Sequence, residues 1–358
     1  MKYALIGCGR ISSKHIEAAM NNGVEIVAIC DMNFHSMEHL AKNFNLSDSV
    51  NFYTDYNELI EKEHPDIVAV ATDSESHTVI ATAAVKAGCN VIIEKPIALS
   101  VRGAECIIDL AKEKGVTVCV CHQNRFNKAV QKVRSAVEEN RFGRLFHASA
   151  NIRWNRNEDY YLQAPWRGTW EHDGGALMNQ CIHNVDLLCW MMGYEVDEVF
   201  AYTDNLNHNY IEAEDFGVAL IRFKNGSYGI IEGTVNVFPK NLEEALCIFG
   251  ETGTVKLGGQ SVNVIEEWKF QDGLDNLENV KLQCYEEMRN VYGYGHTLLY
   301  ADMIDAVKAG RQAYVTADDG KRAMEVVLAM YKSAQLGQPV KLPLKYGSTV
   351  DFRREFKK

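Results

Sequence analysis

The stretch "ALIGCGRISSKH", residues 4–15, decides the fold of the first part of the chain. A short apolar run ends at Gly7, and Gly9 follows just before a segment with helical spacing. Gly7 allows the tight turn, and Gly9 lets the backbone approach a diphosphate at the helix N-terminus. The small Ser12 takes the third position of this GxGxxG-type pattern. The stretch therefore predicts the strand, turn and helix that open a dinucleotide-binding domain.

The second apolar run, "EIVAIC", ends at Asp31. An acid roughly twenty residues after the glycines binds the adenosine ribose hydroxyls, although Asp31 could instead cap the following helix. Met32 and Asn33 follow with no arginine nearby for a ribose phosphate, which favours NAD over NADP. A glycine turn and an acid would also suit an S-adenosyl methyl donor, so this segment alone leaves a transferase open.

Apolar runs alternate with amphipathic stretches through residues 1–123. The predicted strands there are "YALIG", "VEIVAICD", "DIVAVAT", "NVIIEKP" and "VTVCVCHQ". Because buried strands alternate with helices, we expect an α/β fold with a parallel sheet covered on both faces, as in a Rossmann domain. Beyond residue 123, runs such as "DFGVALIRFK" and "SYGIIEGTVNV" follow one another without helices. They predict a largely antiparallel sheet in an α+β domain of residues 124–358.

The composition of the chain limits its partners. The 358 residues are 47% hydrophobic and 24% charged, which is typical of a globular protein. A net charge of -11, with no stripe of Lys and Arg, argues against nucleic-acid binding. No apolar run is long enough to span a bilayer, and the glycines come too early for a signal peptide. The ten cysteines form no CxxC pair, so we expect free thiols in the cytoplasm and no metal site.

A second motif, "VIIEKPIAL", occupies residues 91–99. Its apolar run stops at Glu94 and Lys95, and Pro96 fixes the exit of the chain. Ligands of open α/β sheets bind beyond the carboxyl ends of the strands, so Lys95 should lie beside the cofactor. The alternative is a salt-bridged strand end with no chemical role. This stretch alone leaves both interpretations open.

A third motif, "GGALMNQCIHNVDLLCWMMG", predicts an apolar helix near residues 176–192. Asn179, His183 and Asp186 recur at spacings of four and three, so they can share one face of that helix. A single helical histidine is usually a core or surface residue. A polar stripe on an apolar helix is harder to dismiss, because buried polar groups need partners.

These three motifs together resemble the Gfo/Idh/MocA oxidoreductases, in the same order and over the whole chain. The resemblance implies an NAD(P)-binding Rossmann domain and a C-terminal domain with an open mixed sheet for substrate binding and oligomerisation. It also implies a dehydrogenase acting on CH–OH groups of sugars, cyclitols or sugar nucleotides, as a homodimer or homotetramer. Lys95 and His183 match the catalytic lysine and histidine of that family.

One departure from the family concerns the proton. Many members carry Asp four residues before the histidine, where this chain has Asn179. An amide can orient a hydroxyl but cannot exchange a proton at ordinary pH. We therefore expect His183 to take the hydroxyl proton as the hydride leaves for the nicotinamide. Lys95 would hydrogen-bond the same oxygen, and Lys95 as the base stays an alternative.

The resemblance and the motifs together give an expected site. The expected cofactor-binding residues are Gly7, Gly9, Arg10, Ile11, Asp31, Thr72, His77, Glu94, Lys95 and Gln123. The expected substrate-binding residues are Asn124, Arg125, Tyr161, Trp166, Arg167, Asn179 and His183.

The stretch "RWNRNEDYYLQAPWRGTWEHD", residues 153–173, bears on the substrate. Aromatic faces suit sugar or base rings, and arginines suit phosphates or carboxylates, although a structural loop or an oligomer interface has the same composition. An anionic sugar fits best. The stretches "GETGTVKLGGQSVNVIEEW" and "VYGYGHTLLY" resemble amino-sugar pathway members, which indicates UDP-N-acetylglucosamine or its uronate, oxidised at C3.

Three other activities stay open at this point. The substrate could be inositol or a simple hexose, with the same hydride transfer. A glycosidase that retains NAD would use the same cofactor and release a free sugar without net NADH. A non-catalytic, cofactor-sensing protein would bind NAD alone, but Lys95 and His183 together argue against it.

Overall fold

The computed structural model of the chain describes residues 1–286 and 293–356, so the first two residues of "VYGYGHTLLY" lie outside the described part. The strands are β1 Lys2–Ile6, β2 Glu25–Cys30, β3 Asn51–Tyr53, β4 Ile67–Val70, β5 Asn90–Ile93, β6 Val118–Val120, β7 Leu145–Arg153, β8 Val196–Asp204, β9 Phe216–Phe223, β10 Tyr228–Thr234, β11 Glu243–Gly250, β12 Gly253–Gly258, β13 Val264–Phe270 and β14 Val340–Lys341. The helices are α1 Ser12–Asn21, α2 Phe34–Phe44, α3 Tyr56–Glu63, α4 His77–Lys86, α5 Val101–Lys114, α6 Lys128–Glu138, α7 Glu158–Leu162, α8 Ile182–Met192, α9 Leu277–Gln283, α10 Gly295–Ala309 and α11 Ala317–Leu336. A π-helical segment, Leu177–Cys181, precedes α8, and 3-10 turns cover Gln123–Phe126 and Thr349–Phe352. Among the helices of the described residues, none is long and apolar enough to cross a membrane.

The chain divides into two compact units. Unit 1 comprises Met1–Gln123 and Tyr294–Lys321, and unit 2 comprises Asn124–Gly293 and Arg322–Lys358. The sequence predicts a domain boundary after residue 123 and therefore places α10 in the second domain. The structure puts α10 in unit 1, because it packs against α1 and buries His296 and Tyr300.

Unit 1 is built on a six-stranded parallel sheet in the order β3-β2-β1-β4-β5-β6. The predicted Rossmann architecture is confirmed. The strand order reverses between β1 and β4, and ligands of such sheets bind beyond the carboxyl ends of the strands at this reversal. Among the strands of this sheet, β3 is the one that the sequence pattern misses, because it has three residues at the sheet edge and none of them is buried.

Unit 2 is built on an eight-stranded sheet in the order β13-β12-β11-β7-β10-β9-β8-β14. All neighbouring strands are antiparallel except β7 and β10, which are parallel. The predicted mixed, largely antiparallel sheet is therefore confirmed. The strands β13 and β14 were not predicted, and they lie at the two edges of the sheet.

The two faces of the second sheet differ. α8 packs against β7 and β10 on one face, and every residue of α8 is buried. On the other face, cross-strand pairs such as Leu220 and Ile230 leave apolar side chains exposed. The exposed apolar residues of β7 to β10 are Phe146, Tyr202, Leu220, Tyr228 and Ile230. The second sheet thus has one face covered by α8 and one that exposes apolar side chains.

Candidate active site

The glycine turn after β1 has the geometry that its sequence predicts. Gly7 has φ +99°, and a Cβ there would lie 2.5 Å from the carbonyl carbon and oxygen of Ala71. This position therefore requires glycine. A Cβ at Gly9 would meet none of the described protein atoms within 4 Å. Open space above Gly9 is what a diphosphate needs to approach the backbone.

The N-terminus of α1 follows this turn. Ile11 precedes the helix and has no polar side chain to cap it, while the Ser12 hydroxyl donates to the carbonyl of Gly9. The first amide groups of a helix without a side-chain cap are available to an anion. The turn and α1 together fit the diphosphate of a dinucleotide.

Asp31 lies at the end of β2, beside the glycine turn. Its Oδ2 accepts the backbone N–H of Cys8 at 2.7 Å, and its Oδ1 accepts the N–H of Asn33 at 2.8 Å. The cap of α2 is Asn33, whose side chain accepts the N–H of His35 at 3.1 Å. The interpretation of Asp31 as the helix cap is therefore wrong. Its partly exposed carboxylate fits ribose hydroxyls, so the residues present fit NAD.

The other expected cofactor residues of unit 1 lie on the same edge of the sheet. Thr72 follows β4, Lys95 follows β5 and Gln123 follows β6. His77 begins α4, and its Nδ1–H donates to the carbonyl of Pro96 at 2.7 Å. Burial lowers the pKa of His77, so its ring is neutral and helps to hold the loop that carries Lys95.

Glu94 is surrounded by donors. It is 6% exposed, and its Oε1 lies 3.1 Å from Nε2 of both His15 and His296. With Cys121 these residues bring four metal-type ligand atoms within 4.8 Å of one another. Ligand spacing along the sequence could not reveal this cluster, because its members come from four separate elements.

The substrate-side candidates of unit 2 begin on the π-helical segment. Asn179 donates from Nδ2 to Asp173, and its Oδ1 accepts Nε2–H of Gln180 at 2.7 Å. Arg156 donates to Gln180 Oε1 at 3.0 Å. Gln180 is a functional candidate that the sequence analysis missed, and its signal was its position next to Asn179. Arg156 is one of the arginines of the 153–173 stretch.

The N-terminus of the π-helical segment is held from outside the helix. Glu214 Oε1 accepts the N–H of Leu177 at 2.7 Å and lies 3.0 Å from the Tyr331 hydroxyl. Gly175 has φ +90°, and a Cβ there would lie 1.7 Å from Glu214 Oε2. The second glycine of the motif is therefore required by the Glu214 carboxyl group. Burial raises the pKa of Glu214 to about 8.

α8 carries the expected histidine. His183 is its second residue and is 8% exposed. The sequence predicts one regular helix, whereas Asn179 lies in the π-helical turn before α8. The four-residue spacing between Asn179 and His183 therefore does not follow the period of a regular α-helix.

Asp186, the third residue of the predicted stripe, forms a buried ion pair. Arg125 donates from Nε to Asp186 Oδ2 at 2.7 Å, and from Nη2 to Asp186 Oδ1 and to the Tyr194 hydroxyl. The guanidinium carbon lies 4.8 Å from the Trp190 ring centre. Arg125 therefore anchors α8, and substrate contact by Arg125 stays a prediction.

Asn124, the neighbouring candidate, faces another buried glutamate. Its Nδ2 donates to Glu244 Oε1 at 3.4 Å. Burial raises the pKa of Glu244 to about 8. Unit 2 thus places two protonatable carboxyl groups, Glu214 and Glu244, near candidate substrate residues.

The aromatic loop divides into a buried and an accessible part. Tyr161 is buried, and burial raises the pKa of its hydroxyl. Trp166 and Arg167 are half-buried. Arg167 lies over the Tyr160 ring at 4.3 Å and donates to the Tyr160 carbonyl at 2.7 Å. The loop thus supports Arg167 on an aromatic ring, which suits an anionic ligand.

Two family models match the chain. The model of the NAD-binding Rossmann fold of the Gfo/Idh/MocA oxidoreductase family matches residues 1–122. The model of the C-terminal alpha/beta domain of the same family matches residues 134–342. Together they cover most of the chain, including Lys95 and His183.

Solved structures and curated relatives agree with these matches. The WlbA dehydrogenase from Bordetella pertussis, in complex with NADH and UDP-GlcNAcA, is 36% identical with a TM-score of 0.89, over 96% of this chain and 98% of that chain. WlbA from Chromobacterium violaceum, with the same two ligands, is 33% identical with a TM-score of 0.88, over 97% of each chain. Myo-inositol 2-dehydrogenase of Thermotoga maritima is 25% identical over 96% of this chain and 98% of its own length.

Proposed function

The chain belongs to the Gfo/Idh/MocA oxidoreductase family, and on that premise we propose that it oxidises C3 of UDP-GlcNAcA, the uronate of UDP-N-acetylglucosamine. It is an NAD-dependent dehydrogenase that acts on CH–OH groups. The observation that carries the choice of substrate is the likeness to a WlbA dehydrogenase in complex with NADH and UDP-GlcNAcA, 36% identical over 96% of this chain. The half-buried Arg167 supports an anionic sugar nucleotide.

NAD, when bound, accepts the hydride from the substrate carbon. We assign its binding to the expected residues of unit 1, with the diphosphate at the glycine turn and the ribose at Asp31. These residues are Gly7, Gly9, Arg10, Ile11, Asp31, Thr72, His77, Glu94, Lys95 and Gln123. The partly exposed Asp31 carboxylate would repel a ribose phosphate, which supports NAD over NADP.

The proton chemistry is assigned to two side chains. His183 accepts the hydroxyl proton, which a neutral imidazole can do near neutral pH. Lys95 donates a hydrogen bond to the same oxygen and stabilises the negative charge that develops there. Asn179 orients the hydroxyl, and its amide is itself fixed by Asp173 and Gln180.

Substrate recognition is assigned to unit 2. Arg167 would bind the phosphates or the uronate carboxylate, and Trp166 would offer a ring face. Arg156 reaches this region through Gln180. The remaining assigned substrate residues are Asn124, Arg125, Tyr161, Asn179 and His183.

The test is a panel of substrates offered with NAD while NADH absorbance is followed. UDP-GlcNAcA should give the highest kcat/KM, with UDP-GlcNAc as the control that lacks the carboxylate. Deuterium at C3 of UDP-GlcNAcA should appear in the reduced nicotinamide. Deuterium transfer from another carbon would contradict the assignment of C3.

Other outcomes of the panel select other activities. NADH formation with myo-inositol alone would favour inositol oxidation, which the Thermotoga maritima relative supports. Release of a free sugar without NADH would identify an NAD-retaining glycosidase. Binding of NAD without any turnover would identify a cofactor-sensing protein.

The catalytic assignment of Lys95 is tested by Lys95→Met. This variant keeps an unbranched side chain of similar length but loses the charge and the donor. A turnover within about threefold of the wild type would contradict the assignment. Tyr210→Phe, a change outside the assigned residues, serves as the control and should keep full turnover.

Self-association is assigned to the exposed face of the second sheet. Leu220, Tyr228 and Ile230 form an exposed apolar surface on adjacent strands, which suits a second copy of the chain. Light scattering should show a homodimer or homotetramer for the wild type. Leu220→Glu should shift the mass towards the monomer, and an unchanged mass would contradict this surface.

The cytoplasm is the proposed location. All ten cysteines are free, and most of them are buried. Free thiols persist in reducing compartments, which supports this proposal.

A further inference from the structure

The supporting segment, residues 205–215 between β8 and β9, holds the aromatic loop of residues 153–173 at two points. Near the start of the loop, Nε2 of His208 lies 2.6 Å from the carbonyl oxygen of Arg156. Near its end, two backbone N–H groups of the supporting segment donate to the carbonyl of Gly168, each at 2.9 Å. The proposed function assigns substrate contacts to the aromatic loop but gives the supporting segment no role.

The supporting segment is folded around the carboxylate of Asp215, which is fully buried. Its Oδ2 accepts the N–H of Asn207 at 2.9 Å and the N–H of His208 at 3.0 Å, and its Oδ1 accepts the N–H of Leu206 at 2.9 Å. Burial alone would raise the pKa of Asp215. The hydrogen bonds from the His208 ring and from the backbone outweigh burial and lower the pKa to about 2. Asp215 is therefore ionised at neutral pH.

The ring of His208 faces an acceptor at each of its nitrogens. Nδ1 lies 2.8 Å from Oδ2 of Asp215, and Nε2 lies 2.6 Å from the carbonyl oxygen of Arg156. An ionised carboxylate and a carbonyl can only accept, and a neutral imidazole has a single N–H to donate. A neutral ring would therefore leave one nitrogen lone pair against an oxygen, in a side chain that is 2% exposed. The geometry fits a ring that carries both protons, the imidazolium.

Two tyrosines are the other ionisable groups packed against the ring. The ring centre of Tyr161, from α7, lies 5.6 Å from that of His208, and the ring centre of Tyr210 lies 5.3 Å from it. Burial raises the pKa of both tyrosine hydroxyls, so both are neutral. Asp215 is then the group that supplies a negative charge to the ring.

The main chain that His208 holds leads to the candidate substrate residues. The Arg156 side chain donates from Nε to Oε1 of Gln180 at 3.0 Å. Gln180 donates from Nε2 to Oδ1 of Asn179 at 2.7 Å. Asn179 is the residue assigned to orient the substrate hydroxyl, so the orientation of its amide depends on the main-chain position of Arg156.

We propose that His208 is a positioning residue of the substrate site: as an imidazolium it ties the Asp215 carboxylate to the carbonyl of Arg156 and so holds the aromatic loop in the conformation that binds the sugar nucleotide. When the ring loses a proton, the charged carboxylate keeps the remaining N–H, because it is the stronger acceptor. The Arg156 carbonyl then loses its donor. Substrate binding therefore weakens in alkaline solution, while NAD binding, which is assigned to unit 1, does not change. This inference rests on the proposed function, because it needs the aromatic loop and Asn179 at the substrate.

The experiment compares two variants of His208 that each keep one of its donors. The amide of His208→Gln can take the place of Nε2 and donate to Arg156, and the shorter amide of His208→Asn can take the place of Nδ1 and donate to Asp215. We expect the KM for UDP-GlcNAcA at neutral pH to rise about tenfold in His208→Asn and less than about threefold in His208→Gln. The KM for NAD should stay at the wild-type value in both. An equal rise in the two variants, or an equal rise in the KM for NAD, would overturn the proposal, because it would indicate a general structural defect.

The pH dependence separates the charge of the ring from its size. The wild-type KM for UDP-GlcNAcA should rise in alkaline solution towards the value of His208→Asn. The KM of His208→Gln should not take part in this rise, because its amide does not titrate. If His208→Gln follows the wild-type KM at every pH, the imidazolium has no role in substrate binding.

A last measurement needs neither the substrate nor a folded variant. Nitrogen-15 NMR of histidine-labelled wild type distinguishes an imidazolium, with two protonated nitrogens, from the neutral ring. We expect the His208 ring to carry both protons at about pH 7.5. A neutral ring at that pH would overturn the proposal even if UDP-GlcNAcA is oxidised. An imidazolium in a protein that does not oxidise UDP-GlcNAcA would support the state assigned to His208 and reject the substrate.

Discussion

Glu94 in unit 1 and Glu214 in unit 2 are both buried glutamates beside a segment that carries a candidate active-site residue. The two carboxyl groups differ in charge at neutral pH. Glu94 accepts two imidazole N–H groups, and its pKa lies well below the ordinary value in spite of burial. Glu214 accepts one backbone N–H and lies against the Tyr331 hydroxyl, and burial raises its pKa to about 8. At neutral pH Glu94 is therefore ionised and Glu214 is protonated.

Both carboxyl groups are buried, so the difference in their pKa values comes from the hydrogen-bond donors that surround them. Two imidazole N–H groups stabilise the negative charge of Glu94. One backbone amide and one phenol replace less of the hydration that the Glu214 carboxylate would lose on burial. The ionised glutamate precedes Lys95, where a positive charge is useful. The neutral glutamate holds the π-helical segment that carries Asn179, where no charge is needed.

The largest expected effect is that of Glu94→Gln on stability. The amide cannot accept both imidazole N–H groups as a carboxylate does, so the free energy of unfolding should fall by about 3 kcal/mol at neutral pH. The pKa of Glu94 is lowered in the folded state, so its contribution is complete above the unfolded value and is lost as the pH falls through the folded value. The deficit should therefore shrink below about pH 4. Denaturant unfolding at several pH values measures it, and a deficit that does not depend on pH would contradict an ionised Glu94.

The second effect is that of Glu214→Gln, and its sign is opposite. The folded pKa of about 8 exceeds the unfolded value, so the wild type loses stability as the pH rises from about 4.5 to about 8. An amide is not ionised, so the variant should already be the more stable protein by about 2 kcal/mol near pH 6, and by more at higher pH. The two proteins should unfold alike near pH 4.

Glu244→Gln provides the matched control, because burial raises the pKa of Glu244 to about 8 as well. Both variants should remove part of the loss of stability at high pH. A Glu214→Gln variant with the same pH dependence as the wild type would break the comparison with Glu94.

A smaller effect is expected for Tyr331→Phe. The Tyr331 hydroxyl accepts the N–H of Met178 at 3.3 Å and lies against Glu214. Hydrogen bonds to a neutral carboxyl are weak, so the loss should be about 1 kcal/mol at neutral pH. A loss of about 3 kcal/mol would instead indicate a charged Glu214. Thermal unfolding at neutral pH measures the difference.

The smallest effect on stability is expected for Asp31→Ala. Asp31 is a partly exposed carboxylate, and water can take its place for the N–H groups of Cys8 and Asn33, so its removal should cost less than about 1 kcal/mol. The KM for NAD should rise about tenfold, because the acceptor of the ribose hydroxyls is lost. Steady-state kinetics with NAD and NADP measure this change. An unchanged KM for NAD would contradict the assigned ribose contact.

The sequence predicts the parts of the site that are contiguous in the chain. Gly7, Gly9 and Asp31 follow successive strands, and the order of strands in a Rossmann sheet brings them together. The fold class is confirmed because buried apolar runs mark the strands, and the family is confirmed by the two family models that match the chain.

Contacts between distant segments could not be predicted. Nothing in the spacing of the chain pairs His296 with Glu94, or Arg125 with Asp186. Asp186 was predicted to share a helix face with His183 because the two are three residues apart. Its actual partner is Arg125, which comes from another element. The π-helical turn around Asn179 depends on Glu214 and Tyr331, so a sequence pattern based on a regular helix misses it.

The helix α10 belongs to unit 1 although it follows residues 124–293 of unit 2 in the chain, and this order has a consequence for synthesis of the protein. A ribosome releases residues 1–123 long before it reaches His296 and Tyr300. Until then Glu94 lacks one of its two imidazole donors, and His15 lacks the hydroxyl that orients it. The nucleotide-binding unit is therefore completed only after most of unit 2 has been made. A fragment that stops at residue 123 would carry the glycine turn and Asp31 but would lack the groups of α10 that contact Glu94 and His15.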